Sequence, residues 1–126
     1  MKNNERNVLI LVIIGIIVVF GGLIIAKKYA SKSIADGRKI FFYSTTCPHC
    51  LNVEKFIADN KVEEKFKFEK LEVGASQDNA LLMINYAKKC GLAENEAYSV
   101  PQFWDGAKGD CYAGEQEIEA FLKTKI

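Results

Sequence analysis

The chain has 126 residues, of which 49% are hydrophobic, and a formal net charge of +1 at pH 7. That length accommodates one small domain and an appendage. After Lys32 the chain holds twelve basic and fifteen acidic side chains, and this acidic balance argues against nucleic acid as a partner.

The first predicted element is an apolar helix over residues 8–26, VLILVIIGIIVVFGGLIIA, which has no charged side chain in nineteen residues. As a helix it is about 28 Å long at ~1.5 Å per residue, close to the ~30 Å core of a bilayer. No small-residue cleavage site directly follows it, which favours an uncleaved anchor over a signal peptide. We expect an N-terminal tail (residues 1–7), a single transmembrane helix (8–26), a polar tether (27–37) and a folded domain (38–126).

The domain begins with a predicted strand–helix–strand unit. Residues 39–44, KIFFYS, are typical of a short buried strand. After Thr46 the apolar residues recur at helical spacing, and we expect this helix to end near Asn60. Its inward face is predicted to consist of Cys50, Val53 and Ile57. A second strand is predicted within residues 66–73, parallel to the first because a helix joins them.

The second half of the domain is predicted to contain a helix, a hairpin and a last helix. Ser76 is a suitable N-cap for the first of these helices, and Gly91 can end it. The segments VPQFWD and DCYAG flank the turn sequence GAKG and predict a β-hairpin. The last helix follows Gly114, with Ile118, Phe121 and Leu122 facing inward. The complete order is βαβαββα, which indicates a layered α/β domain.

The motif CPHC lies where the first strand gives way to the first domain helix. Cys47 is expected at the helix N-terminus, where free N–H groups and the helix dipole stabilise a thiolate, so it is the predicted nucleophile. Cys50, one turn later on the apolar face, is the predicted resolving thiol. Pro48 suits the first helical position, and His49 can add positive charge beside the thiolate.

At these residues the chain resembles the thioredoxin superfamily, and CPHC is similar to the active site of Dsb-type disulfide oxidoreductases. The short domain and its order of elements look more like glutaredoxin. Members of the superfamily carry a cis-proline opposite the active-site cysteines, and Val100-Pro101 stands at the matching place. The resemblance implies a thioredoxin-like fold, with a mixed four-stranded sheet flanked by three helices. It also implies that the Val100 backbone binds an extended substrate segment.

Two positions depart from the patterns that the resemblance implies. Thioredoxin and Dsb-type proteins commonly have a buried acid six residues before the first cysteine, where this chain has Phe41. Proton transfer at Cys50 must then use water or another carboxylate. Glutaredoxins have a Gly-Gly pair before the last helix for glutathione, whereas this chain has Ala113-Gly114.

Other interpretations of the four cysteines stay open at this point. Cys47 and Cys50 form half of a zinc site if Cys90 and Cys111 complete it, although structural zinc sites usually bring a second close pair. Two thiolates on a strand–helix loop also suit copper(I), but this alternative does not explain Val100-Pro101. Cys90 and Cys111 are equally consistent with a structural disulfide and with two packed thiols.

The sequence therefore predicts a membrane-anchored thiol–disulfide oxidoreductase that acts on protein thiols and disulfides, without a bound cofactor or metal. Its redox partner is expected to be a quinone-linked oxidase or a membrane reductant carrier. A reductase for cytochrome c maturation or thiol repair is the main alternative. Basic residues flank both ends of the apolar helix and slightly favour a cytoplasmic domain. Because disulfides persist outside the cytoplasm, we expect the domain to be extracytoplasmic.

Overall fold

The structure, a computed structural model, describes the backbone of residues 2–30 and 36–126, and the side chains of residues 4–19 and 36–126. The chain divides into two compact units, Met1–Ser33 and Ile34–Ile126. The first unit contains helix α1, Lys2–Ala30. This helix covers the apolar segment 8–26 and continues into the segment that was predicted to be a tether.

Helix α1 carries large apolar side chains at nearly every position from Val8 to Val19, and these are about half or more exposed, from 48% to 68%. Among the residues whose side chains the structure describes, no helix is long and apolar enough to cross a membrane. The predicted anchor over residues 8–26 is thus helical but not confirmed as a membrane span. The side chains of residues 20–26 and the residues 31–35 of the predicted tether lie outside the described part.

The second unit is built on one mixed sheet. Its elements are β1 Lys39–Tyr43, α2 Pro48–Asp59, α3 Val62–Lys65, β2 Glu69–Glu72, α4 Gln77–Cys90, α5 Glu94–Ala97, β3 Gln102–Asp105, β4 Asp110–Ala113 and α6 Glu115–Lys123. The strand order is β2-β1-β3-β4. β1 pairs with β2 in parallel and with β3 antiparallel, and β3 pairs with β4 antiparallel. The predicted thioredoxin-like fold with a mixed four-stranded sheet is confirmed, but within residues 36–126 five helices accompany the sheet instead of the predicted three, because the short helices α3 and α5 are added.

The central strand β1 is buried on both faces, which explains its unbroken apolar sequence. Phe41 faces one cluster, formed with side chains of α2, β3 and α6. Its neighbours Ile40 and Phe42 face the opposite cluster, which includes Met83 of α4 and Trp104 of β3. Burying each such phenylalanine contributes roughly 1.5–3 kcal/mol to folding. β1 is therefore held rigidly, and the loop that follows it starts from a fixed point.

The ends of α4 agree with the sequence prediction. The Ser76 hydroxyl accepts a hydrogen bond from the Asn79 N–H at 3.3 Å, as an N-cap does. Gly91 ends the helix with φ 74°, a left-handed conformation that glycine adopts without a steric cost.

The connection between α2 and β2 differs from the prediction. Lys61 adopts a left-handed conformation with φ 50°, and the short helix α3 follows it. The predicted strand over residues 66–73 is reduced to four residues. Phe66 and Phe68 instead pack against each other and against Phe103 of the core, with Phe66 stacked on Phe103 and Phe68 edge-on to it. Aromatic packing thus takes the place of strand pairing at the start of this segment.

Asp36 lies in the predicted tether but contacts the folded domain. Its carboxylate accepts hydrogen bonds from the Trp104 indole N–H at 3.1 Å and from the Tyr86 hydroxyl. It also accepts one from the Arg38 backbone N–H at 3.0 Å. Burial alone raises the pKa of Asp36, but these hydrogen bonds outweigh it, and the pKa lies below its usual value. The Gly37 N–H also donates to the Gly106 carbonyl at 3.1 Å. The folded domain thus includes at least Asp36 and Gly37 before position 38.

Candidate active site

Cys47 occupies the N-cap of α2, as predicted. Its backbone is extended, with φ −95° and ψ 114°, and Pro48 takes the first helical position. The Cys50 backbone N–H donates to the Cys47 sulfur at 3.3 Å. The Cys47 N–H in turn donates to the Ser44 carbonyl at 3.1 Å, which fixes the turn after β1. A thiolate at Cys47 would therefore receive a directed hydrogen bond and the positive end of the helix dipole.

Cys50 has a different environment from Cys47. It is fully buried, on the inward face of α2 with Val53 and Ile57, whereas Cys47 is partly exposed. Burial is the largest cause that raises the pKa of the Cys50 thiol to about 12, and its hydrogen bond with Cys47 is the second. At neutral pH Cys50 is a protonated thiol. The two cysteines are thus suited to different steps, an exposed nucleophile and a protected second thiol.

The Val100–Pro101 bond is cis, as the resemblance implied. It stands directly before β3, and the Cys47 thiol donates to the Val100 carbonyl at 3.7 Å. The structure therefore brings together two segments that are 53 residues apart in the chain. Val100, Pro101 and the CPHC motif form one continuous site.

His49 does not stand alone beside the thiol. Its Nδ1 lies 2.7 Å from a carboxylate oxygen of Glu115, the first residue of α6. The amide of Asn52, one turn along α2, donates to both oxygens of the same carboxylate at 3.1 Å. The hydrogen bond from His49 is the largest cause that lowers the pKa of Glu115, followed by that from Asn52. The positive charge that His49 is predicted to add beside the thiolate therefore has a carboxylate next to it.

A groove of about 410 Å³ adjoins these residues. It is lined by His49, by residues 100–101 and by residues 113–117. One backbone donor near it, the Ala113 N–H, is bonded to the Glu117 carboxylate at 3.1 Å. The groove thus adjoins Val100, whose carbonyl accepts a hydrogen bond from the Cys47 thiol, and its lining includes the acidic residues Glu115 and Glu117.

Two further carboxylates lie close to the motif and were not predicted. Glu72, at the end of β2, accepts a hydrogen bond from the Thr45 N–H at 3.4 Å and another from the Ala75 N–H. It thus ties the loop before Cys47 to the loop after β2. Glu54 follows Cys50 by one turn of α2 and forms an ion pair with Lys70 of β2 at 3.0 Å.

Position 41, six residues before Cys47, carries the fully buried side chain of Phe41 in place of the acid that the resemblance implied. Glu54 lies on α2, one turn after Cys50, whereas Phe41 lies on β1. Its negative charge is one of the smaller causes that raise the pKa of Cys50. Glu54 is therefore the carboxylate whose charge acts on the buried thiol.

Cys90 and Cys111 are joined in a disulfide, with their Cα atoms 6.0 Å apart. Of the two open interpretations, the structural disulfide is the one observed. Sulfurs bonded to each other are not thiolate ligands, so they cannot complete a zinc site with Cys47 and Cys50. Across residues 36–126 and the described part of α1, no group of three or more His, Cys, Asp or Glu side chains is arranged to hold a metal ion.

No model of a known protein family matches the chain, and no curated protein matches it by sequence. Among solved structures, wheat glutaredoxin is similar at 20% identity, over 72% of this chain and 74% of that one, with a TM-score of 0.49. A dithiolic glutaredoxin from Trypanosoma brucei brucei is similar at 21% identity, over 72% and 82% of the two chains, with a TM-score of 0.47.

Proposed function

We propose that the chain is a thiol–disulfide oxidoreductase that acts on protein substrates through Cys47 and Cys50. One observation carries the proposal: the Cys47 sulfur stands at a helix N-terminus and accepts the Cys50 N–H, while the Cys50 thiol is fully buried. An exposed, stabilised thiolate beside a protected thiol is the arrangement that disulfide exchange requires.

In the oxidising direction the protein begins with a Cys47–Cys50 disulfide. A substrate thiolate attacks the Cys47 sulfur, forms a mixed disulfide and releases Cys50 as a thiolate, which takes up a proton. A second substrate thiolate then attacks the substrate sulfur of the mixed disulfide and releases Cys47. The substrate loses two electrons and two protons and gains a disulfide, and the protein pair is reduced to a dithiol.

The substrate is proposed to be an extended polypeptide segment. The Val100 backbone lies next to Cys47 and opens onto the groove, where a main-chain segment can pair with it. Pairing through backbone groups tolerates many side chains. This feature supports a range of protein thiols and disulfides as substrates.

The net direction is proposed to be oxidation, with a quinone-linked oxidase that restores the disulfide. The support is the helix N-terminus at Cys47, which stabilises the dithiol form. We expect the full-length chain, equilibrated with glutathione, to show a potential above about −230 mV, more oxidising than the ~−270 mV of a general reductant. A potential near the lower value would contradict the oxidising direction and favour a reductase for cytochrome c maturation or thiol repair, supplied by a membrane reductant carrier.

The domain is proposed to be tethered to the outer side of the cell membrane by residues 8–26. The support is the uncharged apolar sequence of this segment together with the Cys90–Cys111 disulfide, a bond that persists in oxidising compartments. Intact cells, mildly reduced and then treated with a membrane-impermeant thiol reagent, are expected to be labelled at Cys47. The control is the same cells after lysis. Labelling only after lysis would place the domain in the cytosol.

A further inference from the structure

The carboxylate of Glu115 forms polar contacts between α6 and the active-site helix α2. It accepts hydrogen bonds from Asn52 and is in contact with His49 at 2.7 Å. Its side chain is 27% exposed, whereas that of His49 is 72% exposed. The better shielded partner is thus the carboxylate, and the imidazole takes its orientation from it.

We propose that Glu115 is a positioning residue that holds the His49 imidazole and offsets its charge, so that the Cys47–Cys50 disulfide is less oxidising than the CPHC motif alone would make it. This inference rests on the proposed function. It concerns how strongly the site favours the dithiol form, and not whether exchange takes place.

The direction of the effect follows from the charge of Glu115. With the protonation of His49 unchanged, removing the carboxylate makes the surroundings of Cys47 more positive by one charge. A positive charge stabilises the Cys47 thiolate of the dithiol form but has no such partner in the disulfide, so the disulfide becomes a stronger oxidant.

The other carboxylates near the motif have partners other than His49. Glu117, in the same turn of α6, binds the Ala113 N–H. Glu54, on α2, is paired with Lys70. Glu72, behind the loop, is held by backbone N–H groups of the two loops it joins. Glu115 is therefore the carboxylate through which the charge of His49 is set.

The alternative is that Glu115 only braces α2 against α6. A brace affects the free energy of unfolding, whereas a positioning residue also changes the thiolate fraction and the redox equilibrium. Glu115→Gln removes the charge and keeps an amide that can accept hydrogen bonds from His49 and Asn52. The matched control is Glu119→Gln, which makes the same charge change one turn further along α6.

The experiment uses the full-length chain with each substitution. The thiolate fraction of Cys47 is measured at pH 6 by the rate of alkylation with iodoacetamide, which is uncharged and is not itself attracted by the site. The redox equilibrium is measured against glutathione. For Glu115→Gln we expect alkylation about threefold faster and an equilibrium about three- to tenfold further toward the dithiol, where tenfold corresponds to about 30 mV. Glu119→Gln is expected to change both by less than about twofold, and Glu115→Asp to stay close to the wild type.

A double variant tests whether Glu115 acts on Cys47 through His49 or without it. With His49→Gln in place, Glu115→Gln should have a clearly smaller effect, because the imidazole that it holds is gone. The inference is overturned if Glu115→Gln leaves both quantities unchanged, if Glu119→Gln matches it, or if its effect is the same without His49. A wild-type chain that alkylates normally but exchanges no disulfides would defeat the proposed function, while the alkylation rates would still test the role of Glu115.

Discussion

Cys50→Ser is expected to accumulate a mixed disulfide between Cys47 and its substrate, and Cys47→Ser to lower exchange on the order of a thousandfold or more. The difference follows from where the two sulfurs lie. Cys47 is partly exposed and is in contact with the Val100 backbone, which we propose to bind the substrate. Cys50 is buried one turn after Cys47 and is the chain's own thiol placed to release the substrate, so its removal leaves the mixed disulfide in place.

The adduct is measured on the full-length chain by mass spectrometry after incubation with a disulfide-bonded protein substrate and acid quenching. The two variants serve as each other's control, because each changes one sulfur to oxygen within the same turn. An adduct that forms in Cys47→Ser, at Cys50, would contradict the assignment of nucleophile and resolving thiol. Exchange at the wild-type rate in both variants would contradict the proposed exchange chemistry altogether.

The same geometry predicts how resolution depends on pH. Burial is the largest cause that raises the pKa of Cys50, and it remains when Cys47 is bonded to a substrate. The second cause is the hydrogen bond with Cys47, whose sulfur has no titratable thiol in the mixed disulfide. Because the attacking species is the Cys50 thiolate, release of the substrate in the wild type should become faster as the pH rises above neutral.

Replacing both Cys90 and Cys111 with alanine is expected to lower the free energy of unfolding by about 3 kcal/mol, because the disulfide closes a loop between residues 21 apart in sequence. For a domain of this size that corresponds to a melting temperature lower by on the order of 10–20 °C. The double replacement is preferred to a single one because it leaves no unpaired thiol that could form a bond with the CPHC pair. Urea-induced unfolding of the full-length chain, followed by tryptophan fluorescence, measures the change, since Trp104 lies in the same cluster.

Below the melting temperature of the double variant, exchange by Cys47 and Cys50 should continue at a rate similar to that of the wild type. Loss of exchange while the domain is still folded would assign the Cys90–Cys111 bond a part in electron transfer. A change in stability below about 1 kcal/mol would show that the linked segments are already held together by packing in the unbonded form.

The elements that the sequence predicted correctly are those with local signals. The apolar face of α2 follows from residues three and four apart, the N-cap Ser76 from its place before a helix, and the end of α4 from Gly91. The hairpin of β3 and β4 follows from the glycine-rich turn between two apolar segments. Each of these depends on neighbours within about one or two turns of chain, which the sequence displays directly.

The features that escaped prediction depend on contacts between distant segments. Glu115 lies 66 residues from His49, and a glutamate at the start of a helix is equally typical of a residue that only favours the helix dipole. Asp36 lies in a polar stretch with no periodicity, 68 residues before Trp104. The pairing of Cys90 with Cys111 requires a Cα separation that no sequence pattern supplies.

The hydrogen bonds of Asp36 have a practical consequence for where the domain can be cut from the rest of the chain. A fragment that starts at Arg38 keeps every strand and helix of the second unit, yet it loses the acceptor of the Trp104 indole and the Tyr86 hydroxyl. It also loses Gly37, whose backbone extends the pairing with Gly106 beyond the first strand. Secondary structure alone is thus a misleading guide to the boundary, and an intact fragment has to begin before Asp36.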